Sequence, residues 1–102
     1  MAFITKNAIN RTYNRCIEIL DKFDSDQLAA IYDYICIFNQ IYDNYEIGDE
    51  PNRVNILRYL IQLKNNDNDC DEHVLYNKIS SINHVMIGME LLKQKYIANH
   101  AV

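Results

Sequence analysis

DSDQLAAIYDYICIFNQIYDNY, residues 24–45, is the stretch on which the fold turns. Asp24, followed three residues later by Gln27, is the signature of a capping box, in which each side chain satisfies the other residue's backbone N–H at the start of a helix. Beyond it Leu28, Ile31, Ile35, Phe38, Tyr42 and Tyr45 recur at spacings of three, four, three, four and three, which is one face of an α-helix. Tyr34 and Ile41, seven apart, widen that stripe, and Cys36 and Ile37 widen it further. So broad a stripe carries more apolar surface than one neighbouring helix covers. Residues 25–45 are therefore expected to form either the central helix of a bundle or a helix that turns part of its face to another chain.

The segments on either side repeat the helical pattern. Ile9, Tyr13, Cys16, Ile17 and Leu20 share a face and predict a helix over 6–23, with Thr5 as its N-cap. Gly48 is expected to adopt the left-handed conformation that ends a helix, and Pro51 to sit in the first turn of the next, capped by Asp49 or Glu50. That third helix spans 51–64 through Val54, Ile56, Leu57, Leu60, Ile61 and Leu63, with Arg53, Asn55, Arg58, Gln62 and Lys64 on its wet side. A loop rich in Asn and Asp (65–71) precedes a last helix over 71–98, and Asp69 with Glu72 offers a second capping box. In this last helix Leu75, Ile82, Val85, Met89, Leu92 and Tyr96 keep a three-four register, but Lys78 takes the slot before Ile82. Ser80-Ser81 and Gly88 are the points at which it could kink.

Composition agrees. The chain of 102 residues holds two glycines and one proline, too few for the many tight turns of a small β-protein. The expected architecture is all-α, a single domain over 1–102 built as an antiparallel bundle of about four helices. A coiled-coil dimer is the weaker alternative, because the heptads are short. Fifteen Ile, thirteen Asn and eight Tyr are residues of AT-rich codons, a hint about the gene and not about mechanism.

Several function classes fall away on the residues alone. A formal charge of −4 opposes nonspecific nucleic-acid binding, which depends on neutralising phosphates. A basic face of Lys6, Arg11, Arg15, Arg53 and Arg58 would have to compensate, and no turn-helix signature accompanies it. There is no run of eighteen apolar residues to span a membrane and no leader pattern at the N-terminus. Three widely spaced cysteines do not form a disulfide framework, and a reducing cytoplasm is the expected compartment.

Asp67, Asp69 and Asp71 alternate like calcium ligands, but Glu72 stands where the loop needs Gly and Lys78 where it needs a bidentate Glu. Cys70 and His73 lack the second ligand pair of a zinc site. Two glycines build no phosphate cradle, and no element presents a Cys or Ser beside a His. No enzyme activity, cofactor or metal is expected.

The charge distribution is more specific. Between Asp21 and Glu50 lie eight acidic residues and a single basic one, Lys22. Within this acidic segment Tyr32, Tyr34, Tyr42 and Tyr45 are interleaved with Asp33, Asp43 and Glu46. Aromatic anchors in a charged rim are a common interface composition, and a carboxylate-rich surface steers association with basic proteins. Asp33, Asp43, Glu46, Tyr34, Tyr42 and Tyr45 are the expected partner-binding set. The expected function is that of a small acidic inhibitor, of the immunity type, that neutralises a toxin or other basic partner protein. Alternatives are a viral or phage accessory protein that binds a host factor, and a self-associating homodimer.

Overall fold

The computed structural model describes residues 6–42, 45–65 and 72–100. Four helices account for most of them: α1 (Lys6–Leu20), α2 (Ser25–Tyr42), α3 (Arg53–Lys64) and α4 (Glu72–His100). The all-α bundle follows from the periodicities above, and no strand occurs among the described residues.

The helix ends show which local signals held. The α2 capping box forms as the residues dictate: Gln27 N–H donates to Asp24 Oδ1 at 3.0 Å and Asp24 N–H to Gln27 Oε1 at 2.9 Å. α1 stops at Leu20, three residues early. Lys22 and Phe23 N–H turn inward to the carbonyls of Ile19 and Leu20 in a tightened last turn. Arg53 completes this end, its guanidinium donating to the carbonyls of Leu20 and Phe23 and to Asp21 Oδ1 at 3.1, 3.3 and 2.6 Å. Expected on a wet face, Arg53 instead closes the α1 terminus, where the helix dipole favours a cation.

The α2–α3 connection departs most from expectation. α2 ends at Tyr42, so Gly48 (φ +94°) is a turn residue within the connection and does not cap the helix. The N-cap of α3 is Asn52, whose side chain accepts from Asn55 N–H at 2.9 Å, in place of Asp49 or Glu50. Pro51 accordingly lies outside the helix. Residues 45–48 double back along α2: Asn39 holds the backbone of Tyr45 at both its N–H and its C=O, and Tyr32 donates its hydroxyl to the Gly48 carbonyl. α3 then starts beside the α1–α2 turn, at Arg53, and runs down to Lys64, whose ammonium lies 4.4 Å from the Tyr13 ring centroid. α3 is thus antiparallel to α1 and points the same way as α2.

The core gathers Ile9, Cys16, Leu20, Ile31, Ile35, Ile56, Tyr59, Leu60, Leu63, Ile82, Val85 and Met89, all nearly or wholly buried. Lys78 follows the register of these positions and is buried too, at 7% exposure. α4 packs against all three other helices and takes the central role. It runs unbroken for 29 residues, through Ser80-Ser81 and Gly88. α2 packs chiefly against α4, in antiparallel sense: Tyr96 donates to the Asp26 carbonyl at one end, and Phe38 stacks on His84 toward the other, with centroids 4.9 Å apart.

Gly88 has a reason to be Gly. A Cβ there would collide with the Tyr34 ring, which lies over the α4 backbone with its hydroxyl donating to the His84 carbonyl at 3.1 Å. Gly88→Ala is therefore expected to destabilise the protein by about 1–3 kcal/mol through overpacking. With Tyr34→Ala beside it, the same change should instead stabilise by up to about 1 kcal/mol, the helix-propensity gain of Ala over Gly. Urea unfolding of the four proteins in this double-mutant cycle measures the sign reversal; equal effects in both backgrounds would remove the steric account.

Candidate functional site

The doubled-back segment 45–48 builds a surface that the helices alone do not. Tyr32, half-buried on α2, is its pin: the hydroxyl reaches the Gly48 carbonyl at 2.5 Å. This contact brings Asp49 beside α2, where Asp33 is exposed. The Tyr32 hydroxyl is pushed up by desolvation first, then by a hydrogen bond with Cys36 and its charge, then by the charges of Asp49 and Asp33. Two carboxylates from different segments therefore act on one hydroxyl. Glu46 and Glu50 are exposed on the same segment; the Glu46 carbonyl accepts from Gln62 Nε2 at 2.8 Å and the Glu50 carbonyl from Asn55 Nδ2 at 2.8 Å. Both bonds tie the acidic stretch to α3, so the carboxylates stand on a fastened backbone.

The six expected contact residues are placed differently from one another. Asp33 and Glu46 are exposed. Asp43 and the side chain of Tyr42 lie outside the described residues. Tyr34 is half-buried against α4, stacked near Phe38 and His84 at centroid distances of 6.4 Å each. Tyr45 meets Tyr59 edge to face at 6.3 Å, with its backbone held by Asn39. These two rings serve intramolecular packing. Tyr32, interleaved with these carboxylates in the sequence, and Asp49 take their place on the acidic flank; the signal for Asp49 is a loop that folds back, which periodicity does not register.

A second exposed feature is apolar. Ile37 and Ile41 of α2 are 60% and 65% exposed, and Ile87 and Leu91 of α4 are 53% and 60% exposed. Ile37 and Ile41 belong to the surplus of the broad α2 stripe, so α4, rather than α2, is the centre and the surplus meets solvent. Comparison with protein-family models, with curated proteins and with solved structures finds no match to this chain.

Between α1 and α4 a cleft of about 430 Å³ is lined by Arg15, Lys22 and Lys93 on one sign and Glu18 and Glu90 on the other. Arg15 and Glu90 pair across it at 3.7 Å. Mixed charge of this kind neutralises itself and marks no single ligand. Among the described residues no group of three or more His, Cys, Asp or Glu could hold a metal, and no helix is long and apolar enough to cross a membrane. The aspartates and Cys70 of the 66–71 loop lie outside the described residues. The Cys16 thiol donates to the Ile82 carbonyl at 3.6 Å, and burial, with the nearby Glu90 charge adding to it, pushes its pKa up to about 12. A thiol so placed stays protonated at neutral pH and is no nucleophile.

Proposed function

We propose that this chain is a non-enzymatic protein-binding module whose acidic flank, Asp33 with Glu46, Asp49 and Glu50, captures a basic partner protein. The observation that carries the reading is the Tyr32–Gly48 bond, which holds the segment before Asp49 against α2 at the residue preceding Asp33, while Asn55 ties Glu50 to α3. Pre-positioned carboxylates lose little conformational freedom on binding, and their field raises the rate of encounter with a cationic surface. A stoichiometric inhibitor works in this way: carboxylates occupy a basic cleft that would otherwise take a polyanion, as the cleft of a nuclease toxin does.

The test is a quantitative capture of partners on tagged protein from a lysate of the source cell, at low and high salt, beside the Asp33→Lys/Asp49→Lys variant. A partner bound at low salt should fall at least about tenfold in affinity on charge reversal, since removing rim charges and adding like charges each costs on the order of 1 kcal/mol or more. Helicity should not change, because both residues are exposed. A partner held equally by both proteins and at both salt concentrations would exclude the acidic flank as its contact.

A further inference from the structure

We propose that the doubled-back segment 45–48 is a latch: a unit that opens and recloses on the bundle while the four helices stay folded, with the Tyr32 hydroxyl as its catch. The latch sets how the acidic flank is presented. Its opening is nevertheless a property of this chain alone and is measured without a partner, so the inference stands apart from the binding reading.

The way the segment is fastened points to this. α4 packs against each of the other helices, whereas α2 and α3 make little direct contact with one another. Segment 45–48 bridges those two. From α2, Tyr32 donates to the Gly48 carbonyl, and Asn39 holds Tyr45 at both its N–H and its C=O. From α3, Gln62 donates to the Glu46 carbonyl at 2.8 Å. All four bonds join a helix side chain to the backbone of the segment. They can therefore break together without the loss of any bond along a helix, and each helix keeps its packing on α4.

The apolar attachment of the segment is small. Ile47 is buried, but Glu46 is exposed, Gly48 has no side chain, and Tyr45 is half-buried with its ring edge-on to Tyr59. The deep core of Ile31, Ile35, Leu60, Ile82, Val85 and Met89 is built by the helices themselves. A stretch with few buried apolar contacts and with hydrogen bonds near the surface opens at a lower free energy than such a core. One end of the segment stays fixed: the Glu50 carbonyl accepts from Asn55 Nδ2 at 2.8 Å and from Asn52 N–H at 2.9 Å. Gly48, at φ +94°, turns the chain between this fixed end and the latch, and a Cβ there would collide with the Asn55 side chain. Closed, the latch keeps Glu46 tied to α3; open, it releases Glu46 while Glu50 remains in place.

The experiment is native-state amide exchange of the full chain, followed by NMR in water and in low urea. The Tyr45 N–H, bonded to Asn39, reports the latch; the amides of Leu60 and Val85, within α3 and α4, report the bundle. In wild type the Tyr45 amide should be protected, yet exchange at least about a hundredfold faster than Leu60 and Val85. Urea should speed it less than it speeds them, because opening the latch exposes little surface. Tyr32→Phe and Gln62→Ala, on different helices, should each speed Tyr45 exchange about fivefold, as the loss of one net hydrogen bond does. Ile9→Val, in the core on α1, should speed the Leu60 and Val85 amides about fivefold and leave Tyr45 unchanged. A Tyr45 amide that accelerates with Leu60 and Val85 in Ile9→Val would make the segment part of the bundle's cooperative unit and overturn the latch. So would a Tyr45 amide that is unprotected in wild type or indifferent to Tyr32→Phe.

Discussion

Replacing Tyr59 with alanine is expected to cost about 4 kcal/mol of stability, in the range found for removing a large aromatic side chain from a packed core. Among the described residues Tyr59 is the largest side chain with no exposed surface. It stands on α3 where the core meets the doubled-back segment, with Tyr45 edge-on against its ring. Deleting the ring removes its buried area and leaves a cavity that the surrounding Leu60, Leu63 and Ile56 fill only in part. For a domain whose total stability is about 5–15 kcal/mol, this is a large share. Tyr59→Phe keeps the ring and should cost no more than about 1.5 kcal/mol, the net worth of a typical hydrogen bond. If the acidic flank binds a basic partner as proposed, the alanine variant should also bind it less well under conditions where it is still folded, because Tyr45 packs on Tyr59 next to the stretch that carries Glu46 and Asp49. Urea midpoints decide the matter: a loss below about 1 kcal/mol for Tyr59→Ala would place the ring outside the packed core.

The second large effect concerns alkaline pH. Cys16 is wholly buried, and its thiol pKa stands near 12 in the folded protein against about 9 in an unfolded chain. Above pH 9 the unfolded state releases this proton while the folded state keeps it, so the unfolded state binds fewer protons and stability falls as pH rises. The slope attributable to this one group is about 1.4 kcal/mol per pH unit, levelling off near the folded pKa. Below pH 9 both states keep the proton and the group contributes no pH dependence. Tyrosines and lysines titrate in the same window, so the measurement is the difference between wild type and Cys16→Ala: the variant, less stable at neutral pH through the lost packing, should lose less on going from pH 8 to pH 11. Parallel curves would mean that the thiol ionises equally in both states.

How far the sequence reached depends on whether a feature is local. The Asp24–Gln27 box formed as read, because its donors and acceptors lie within one turn and need no distant partner. The three-four spacings named Ile9, Cys16, Leu20, Ile31, Ile35, Leu60, Ile82, Val85 and Met89 correctly as inward positions, because an amphipathic helix has one face to hide. The Lys78 slot was legible for the same reason: periodicity puts the side chain inside whatever its type. Gly48 was correctly read as a residue needing positive φ, but its role moved from a helix end to a turn within the connection, six residues past Tyr42. The mistake is physical: Gly permits the conformation without stating which neighbours call for it.

The candidate site was legible only in part. Asp33 and Glu46 are exposed as their charge implies, since desolvating an unpaired carboxylate is too costly. The tyrosines were not decided by their own neighbourhood. Tyr34 and Tyr45 are amphipathic rings that settle wherever an apolar surface and a hydrogen-bond partner meet. For Tyr34 that place is the α4 backbone at Gly88 and for Tyr45 it is Tyr59, contacts spanning fifty and fourteen residues. Tyr32 became the pin of the acidic flank through a carbonyl sixteen residues away.

By itself, then, the amino-acid order determined the number of helices, the inward faces of α1, α2 and α4, the start of α2 and the excess of apolar surface on that helix, since each is set by side-chain spacing along a regular 3.6-residue period. On α3, Val54 and Ile61, read as apolar-face residues, are exposed, and the buried Tyr59 was not named. Only the tertiary structure decided that α4 lies at the centre, that the segment after α2 doubles back to meet Tyr32 through Gly48, and that the surplus isoleucines Ile37 and Ile41 of α2 stay exposed. Those outcomes depend on which faces meet across the bundle, and a helical period fixes the direction of a side chain without fixing what stands opposite it.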